Sequence, residues 1–452
     1  MRGFYFNTEE NTYYYNDIDG VVKHVKEKRE NEFILSKYIS DEYYTPVKVD
    51  KRALQHHLLQ YGYCQITLIV TEACNIRCKY CVYSGAYKNS RLHADTMMTF
   101  EIAKKSCDSY LIAHQKTIDY HPLKVPIIGF YGGEPLMNFE VIRKTVEYVN
   151  KRYGDVEYTI STNATLMNDE IIDFLVSKNF YIAVSLNGDK EENNRLRVYG
   201  DGSGTYEKVK ENLLRLKKLY PKHVSKCVLL CTIDPGTDMK LLGEFFESGE
   251  LSDYKVGRLS QVFDGFTDWY EKYDEETLRS YRESIKELRE KYIKKLIRSE
   301  FTTNFEKVMF EVEYRNILNR NINVKTDKIK LRYLGKTGLC VPGSKIAVSP
   351  NGEFYTCERI NNARPIGNYE TGLDLNAVAD MINEYNRKIK KCQVCSIERV
   401  CANCYVENIE LDGEFVEPNE EACQKKRKHQ MNNFIEVFGA MEKGFEPNKI
   451  II

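Results

Sequence analysis

The chain has 452 residues, with 66 Lys plus Arg matched by 66 Asp plus Glu, a length that predicts about three domains and a sizeable core. Zero formal net charge argues against a dedicated nucleic-acid binder, because phosphate affinity comes from an excess of Lys and Arg. No apolar run approaches the roughly 18 residues of a membrane span, and the opening MRGFYFNTEENTYYYND lacks the plan of a signal peptide, so a cytoplasmic protein with no membrane partner is expected.

Residues 1–63 alternate aromatic and polar residues and then give VVKHVKEKRENEFILSKYI, which predicts a small hairpin followed by a helix. From 64 to 265 short β-branched runs (CQITLIVT, VPIIGFYG, VEYTISTN, YIAVSLNG, KCVLLCTI, YKVGRLSQVF) are separated by amphipathic stretches. Near-continuous apolar strands alternating with helices predict a parallel sheet covered by helices, an α/β architecture curled into a full or partial barrel. Six such units fall short of the eight that close a TIM barrel. Residues 266–339 are charged with helical period and read as a helical bridge; 340–425 lose regular pattern while cysteines crowd together; 426–452 read as a helical tail.

Fourteen cysteines in a reducing compartment point to metal binding or catalysis rather than disulfides. In TEACNIRCKYC, just beyond the first barrel strand, Cys74, Cys78 and Cys81 follow a C-x3-C-x2-C spacing. Three thiolates so placed can hold three corners of a cubane cluster and leave one iron open. This triplet, with Tyr80 before its last cysteine, resembles the signature of radical S-adenosylmethionine enzymes, whose partial (β/α)6 barrel agrees with the six units above. The resemblance implies that the open iron chelates S-adenosylmethionine, which yields a 5'-deoxyadenosyl radical.

Further motifs fall at the ends of later strands. Gly132, Gly133, Glu134 and Pro135 resemble the family's GGEP element, whose glycines admit the cofactor's amino group. Ser161 and Asn163 end the next strand; Ser185, Asn187 and Arg197 follow the one after. In related enzymes the matching Ser and Arg bind the carboxylate of S-adenosylmethionine, a task suited to the planar guanidinium fork. Asn187 stands where Asp is usual in the family.

A second series runs Cys340, Cys357, Cys392, Cys395, Cys401, Cys404 and Cys423. It resembles the SPASM domain of peptide-modifying radical enzymes, with two residues between Cys401 and Cys404 where three are usual. The resemblance implies two auxiliary four-iron clusters, hence three 4Fe-4S clusters in all. One would be held by Cys392, Cys395, Cys401 and Cys423, the other by Cys340, Cys357 and Cys404. The two C-x2-C pairs alone also fit a zinc site, which leaves Cys340, Cys357 and Cys423 unexplained. Cys64, Cys107, Cys227 and Cys231 are expected in the core, and His56 and His57 lack metal-like spacing.

The resemblance extends to the maturases of sactipeptides and ranthipeptides. It implies a Cys-containing precursor peptide with a leader gripped by residues 1–63, a flavodoxin or ferredoxin as electron donor, and a thioether between a Cys sulfur and another residue's carbon. The same chemistry giving formylglycine or a carbon–carbon crosslink is the alternative product; a non-catalytic iron–sulfur electron carrier is the alternative of a different class.

Overall fold

The computed structural model describes residues 2–26, 33–34, 47–321, 334 and 339–450. Its main sheet contains β5 (Gln65–Thr71), β6 (Ile127–Gly132), β7 (Glu157–Thr162), β8 (Tyr181–Ser185), β9 (Cys227–Ile233) and β10 (Lys255–Gln261). These six strands lie side by side in chain order and all pair in parallel. β10 does not pair back onto the far end of the sheet, so the barrel stays open. This is the partial (β/α)6 barrel expected from the strand count.

Local sequence explains the alternation. The run QITLIVT is buried from its second residue onward, because a parallel strand has helices on one face and the lumen on the other. The helix Phe139–Tyr153 buries Ile142, Thr145, Val146 and Val149, the i, i+3, i+4, i+7 stripe of an amphipathic helix, against that sheet. Asn168 starts the helix Asp169–Ser177 by accepting from the Ile171 N–H, which satisfies one of the free donors of its first turn.

The segment after residue 340 is more regular than its cysteine-rich sequence suggests. β11 (Lys345–Val348) adds to the barrel sheet parallel to β5, and β12 (Glu353–Tyr355), β13 (Gly367–Asn368) and β14 (Gly372–Leu373) extend it antiparallel. A helix over Leu375–Lys388 packs its Val378, Met381, Ile382 and Tyr385 inward. A last helix, Glu420–Glu442, carries Cys423 on its first turn and runs through the boundary expected at 425.

The N-terminal segment also departs from expectation. β1 (Gly3–Asn7), β2 (Thr12–Asn16), β3 (Val21–Val25) and the two-residue β4 (Phe33–Ile34) form a separate antiparallel sheet in the order β3-β2-β1-β4. Residues 21–25, expected to open a helix, instead pair with β2 from Thr12↔Val25 to Asn16↔Val21, because three valines pack better on a pleated neighbour than in an isolated turn. The rest of that expected helix lies outside the described residues. A helix does occur later, over Lys51–Tyr61.

This small sheet packs on the last helix. Phe4, Phe6 and Tyr15 meet Phe434 and Val437 in a second core that includes Tyr292, Phe310 and Tyr314 of the helical bridge. Part of the bridge, 322–333 and 335–338, lies outside the described residues. Cys107, Cys227 and Cys231 are buried as expected. Cys64 is exposed, with the Ser344 hydroxyl at 3.1 Å and the Lys124 Nζ at 3.4 Å from its sulfur. Among the described residues no helix is long and apolar enough to cross a membrane.

Candidate active site

The carboxyl ends of β5 to β8 meet around a cavity of about 360 Å³. Its first wall comes from the loop after β5, which is stitched to the Gly-Gly turn after β6. The Gly133 N–H donates to the Thr71 carbonyl at 3.0 Å and the Glu134 N–H to the Ala73 carbonyl at 2.8 Å. The backbones approach so closely that a Cβ on Gly132 would lie 2.2 Å from the Thr71 oxygen and one on Gly133 2.1 Å from the Ala73 oxygen. Glycine is required here by contact between two protein loops, one of which leads directly into Cys74.

Cys74, Cys78 and Cys81 line this cavity with Tyr80, Gly132, Gly133, Ser161, Asn163, Ser185 and Arg197. Four loops from separate strands thus bring the expected triplet and most of the expected cofactor contacts into one space. Glu134, Pro135 and Asn187 stand behind its wall. The buried Glu134 carboxylate accepts from the Leu136 N–H at 3.1 Å, the Thr162 hydroxyl at 2.6 Å and the Asn163 N–H at 2.7 Å, so it fixes the end of β7 instead of facing the cavity. Asn187 accepts from the Thr232 N–H at 3.1 Å and the Tyr80 hydroxyl at 3.3 Å.

Burial shapes the electrostatics. It pushes the Cys74 thiol up to about 12 and the Cys81 thiol up to about 11, so both stay protonated at neutral pH until a metal displaces the proton. His93 stands beside them, its Nε2 3.6 Å from the Cys81 sulfur and its Nδ1 3.2 Å from the Glu72 carbonyl oxygen. Arg197, 4% exposed, donates to the Tyr80 hydroxyl at 2.8 Å, while its Nε is buried with no hydrogen-bond partner. A buried orphan donor on a guanidinium is costly unless an acceptor arrives, and a carboxylate entering the cavity would supply one. The residues present therefore fit S-adenosylmethionine beside a cluster on the triplet.

The second cysteine series divides. Cys340, Cys357 and Cys404, the incomplete set, line a separate cavity of about 110 Å³, with Cys401 also at its wall. Cys401 lies close enough to Cys395 and to Cys423 to raise the pKa of both thiols, though burial is the larger cause in each case. Cys401 thus borders the cavity of the first group and also lies near Cys395 and Cys423 of the second. Among the described residues no three His, Cys, Asp or Glu side chains gather as a single metal ion requires.

Several lining residues were not singled out from sequence: Tyr83, Tyr87, Tyr131, Thr232, Arg258, Gln261 and Arg359. Thr232 and Gln261 sit near the carboxyl ends of β9 and β10, so the rule that such ends build the site could have found them. No motif marks the others.

An open parallel barrel with three cysteines in its first loop and a carboxylate-ready arginine opposite defines a radical S-adenosylmethionine domain. The sequence profile of the Radical SAM superfamily matches residues 68–247, and this stretch is such a domain, a class that works with S-adenosylmethionine and a 4Fe-4S cluster. The chain is 22% identical over 355 residues to the cysteine-type anaerobic sulfatase-maturating enzyme of Clostridium perfringens strain 13, covering 73% of this chain and 85% of that protein. It is 36% identical over 143 residues to an uncharacterized protein of Methanocaldococcus jannaschii, which spans 31% of this chain and under half, 44%, of that relative. The solved structure of native anSMEcpe with bound AdoMet and Kp18Cys peptide shares the fold at a TM-score of 0.56 and 19% identity, over 84% of this chain and 99% of that one.

Proposed function

We propose that this chain is a peptide maturase that removes a hydrogen atom from a ribosomally made precursor and joins the resulting carbon to a Cys sulfur as a thioether. The carrying observation is the convergence of Cys74, Cys78, Cys81, Ser161, Ser185 and Arg197 on one cavity, together with a second, separate cavity lined by Cys340, Cys357 and Cys404. S-adenosylmethionine beside a reduced cluster supplies a 5'-deoxyadenosyl radical, which is reactive enough to take a hydrogen from an unactivated carbon. In this reading the triplet holds three irons, Arg197 and the two serines take the cofactor's carboxylate, and the tyrosine walls exclude water. Cys340, Cys357 and Cys404 would supply three ligands, one fewer than a cubane needs, which leaves a position for a substrate thiolate whose proton is lost on binding; when the carbon radical joins that sulfur, the one remaining electron would pass to the cluster these cysteines hold. Residues 1–63 would meet the leader, with β3 as the outer strand for strand addition, and a flavodoxin or ferredoxin would deliver the electron.

A second reading keeps the radical step and gives formylglycine; the similarity to a cysteine-type sulfatase-maturating enzyme over most of the chain favours it. Two experiments decide. Anaerobically reconstituted protein is expected to bind about twelve irons, falling to about eight when Cys74, Cys78 and Cys81 are all changed to Ala; about four irons plus zinc would overturn the auxiliary sites. In peptides treated with the enzyme, a two-hydrogen loss that blocks thiol alkylation supports the thioether, and a free aldehyde supports formylglycine.

A further inference from the structure

The cavity at the triplet continues into another of about 490 Å³ that runs along the inner face of the sheet toward Gln65, Tyr181 and Lys226 at the opposite strand ends. Tyr131, Ser161, Leu230, Arg258 and Arg359 line both, so they form the neck between them. The two arginines reach this neck from different parts of the chain. β10 pairs with β9 up to Val256↔Leu229 and resumes at Arg258↔Leu230, leaving Gly257 as a bulge. A bulge reverses the in-and-out alternation beyond it; Val256 lines neither cavity and Arg258 lines both. The bulge also needs glycine, since a Cβ at 257 would sit 2.8 Å from the Val228 Cβ. Arg359 comes from the cysteine-rich segment, two residues past Cys357.

Among the described residues neither guanidinium has an ion-pair or hydrogen-bond partner. Glu358, the one carboxylate lining either cavity, is held by Lys345 at 2.8 Å. Lys226 adds a further cation, placed 4.8 Å over the Tyr181 ring. A chain with zero net charge thus concentrates uncompensated positive charge along its lumen, a field that draws in anions.

We propose that the neck is a carboxylate-binding subsite for the substrate peptide, in which Arg258 and Arg359 grip an Asp or Glu side chain, or the peptide's terminal carboxylate, close to the residue that loses hydrogen. This rests on the peptide-maturase reading and adds a chemical requirement to it: an acidic group near the modified position. Two unpaired guanidinium forks lining one neck suit a carboxylate and leave neutral or basic peptides unrewarded.

Fluorescence anisotropy tests it on the full chain, anaerobic, cluster-loaded and with S-adenosylmethionine, at low salt. The probes are fluorescein-labelled dodecapeptides of Gly, Ser and one Cys: one with three Asp and an amidated end, one with three Asn and an amidated end, and one with three Asn and a free carboxylate. The Asp peptide is expected to bind about tenfold more tightly than the Asn amide. Arg258→Gln and Arg359→Gln, each with wild-type melting temperature, should each remove most of that preference. Arg152→Gln, which removes the same charge from an exposed position outside both cavities, should keep it. Tight binding of the free-carboxylate Asn peptide alone would assign the subsite to the chain terminus. Equal binding of all three peptides, no binding of any, or wild-type preference in both neck variants would overturn the proposal. The maturase reading fails separately, if reduced protein does not cleave S-adenosylmethionine while charge discrimination persists.

Discussion

The guanidinium of Arg197 donates to the hydroxyl of Tyr80 at 2.8 Å, joining the cysteine-triplet loop to a segment 117 residues later. The bond fixes one nitrogen of the fork in the cavity wall, while the buried Nε has no hydrogen-bond partner. Arg197→Lys keeps the charge and loses the fork, so S-adenosylmethionine should bind roughly 10–100-fold more weakly. Tyr80→Phe removes only the support and should cost less than about tenfold. Equilibrium dialysis with cluster-loaded, unreduced protein measures both, and equal losses would mean that Arg197 acts through Tyr80 rather than on the ligand.

Gly133→Ala forces a methyl group against the Ala73 carbonyl, where a Cβ would lie at 2.1 Å. Relief requires moving the loop that leads into Cys74. The expected result is a folded protein, destabilised by about 1–3 kcal/mol, that loses about four irons, with about eight left under the three-cluster proposal. Iron analysis with thermal unfolding checks this; full iron content would show that the loop yields without disturbing the triplet.

Alkaline pH should separate empty from loaded protein. Burial raises the Cys74 thiol to about 12 and the Cys81 thiol to about 11, above their unfolded value near 9. The folded chain then keeps protons that the unfolded chain releases. This stabilisation is complete below pH 9 and is lost as pH rises toward 11–12. In loaded protein iron has replaced those protons. Melting temperatures of the metal-free protein should therefore fall from about pH 9 upward more steeply than those of a Cys74→Ala/Cys81→Ala variant.

Arg2 links the N-terminal sheet to the auxiliary cysteines. Its Nε lies 2.9 Å from Asp17 and its Nη2 3.3 Å from Glu398, all three buried, and the Arg399 N–H donates to Asp17 at 3.0 Å. Arg2→Ala would leave two buried carboxylates facing each other, a loss of about 3–5 kcal/mol. Since Glu398 and Arg399 lie between Cys395 and Cys401, under the three-cluster proposal the variant should also release the irons of that region first. Denaturant unfolding followed by iron release tests the coupling; unfolding with no early release would show that the N-terminal sheet stands apart.

The six barrel strands were readable because each is a β-branched run bounded by turn residues, and the triplet because metal ligands impose fixed spacing. What escaped has a common cause in distant partners. Val21–Val25 carries Lys and His in a stretch that also suits a helix, and its pairing with β2 decides the matter. Lys345–Val348 is four residues long, too short to identify without the β5 edge it joins. Arg258 was hidden because a bulge at Gly257 reverses the alternation from which its facing would be inferred. Cys64 looked like core because it adjoins an apolar strand, yet it falls two residues before the buried run begins at Ile66.

The pairing of Gln65 with Lys345 has a consequence for biosynthesis. One edge of β5 stays bare until a strand 280 residues further along has left the ribosome, a delay of roughly 15–60 s at about 5–20 residues per second. An unpaired apolar edge is a template for pairing with other nascent chains throughout that interval. The triplet loop hangs from that same strand, so its metallation is expected to be a late event, reserved for chains whose synthesis has passed β11.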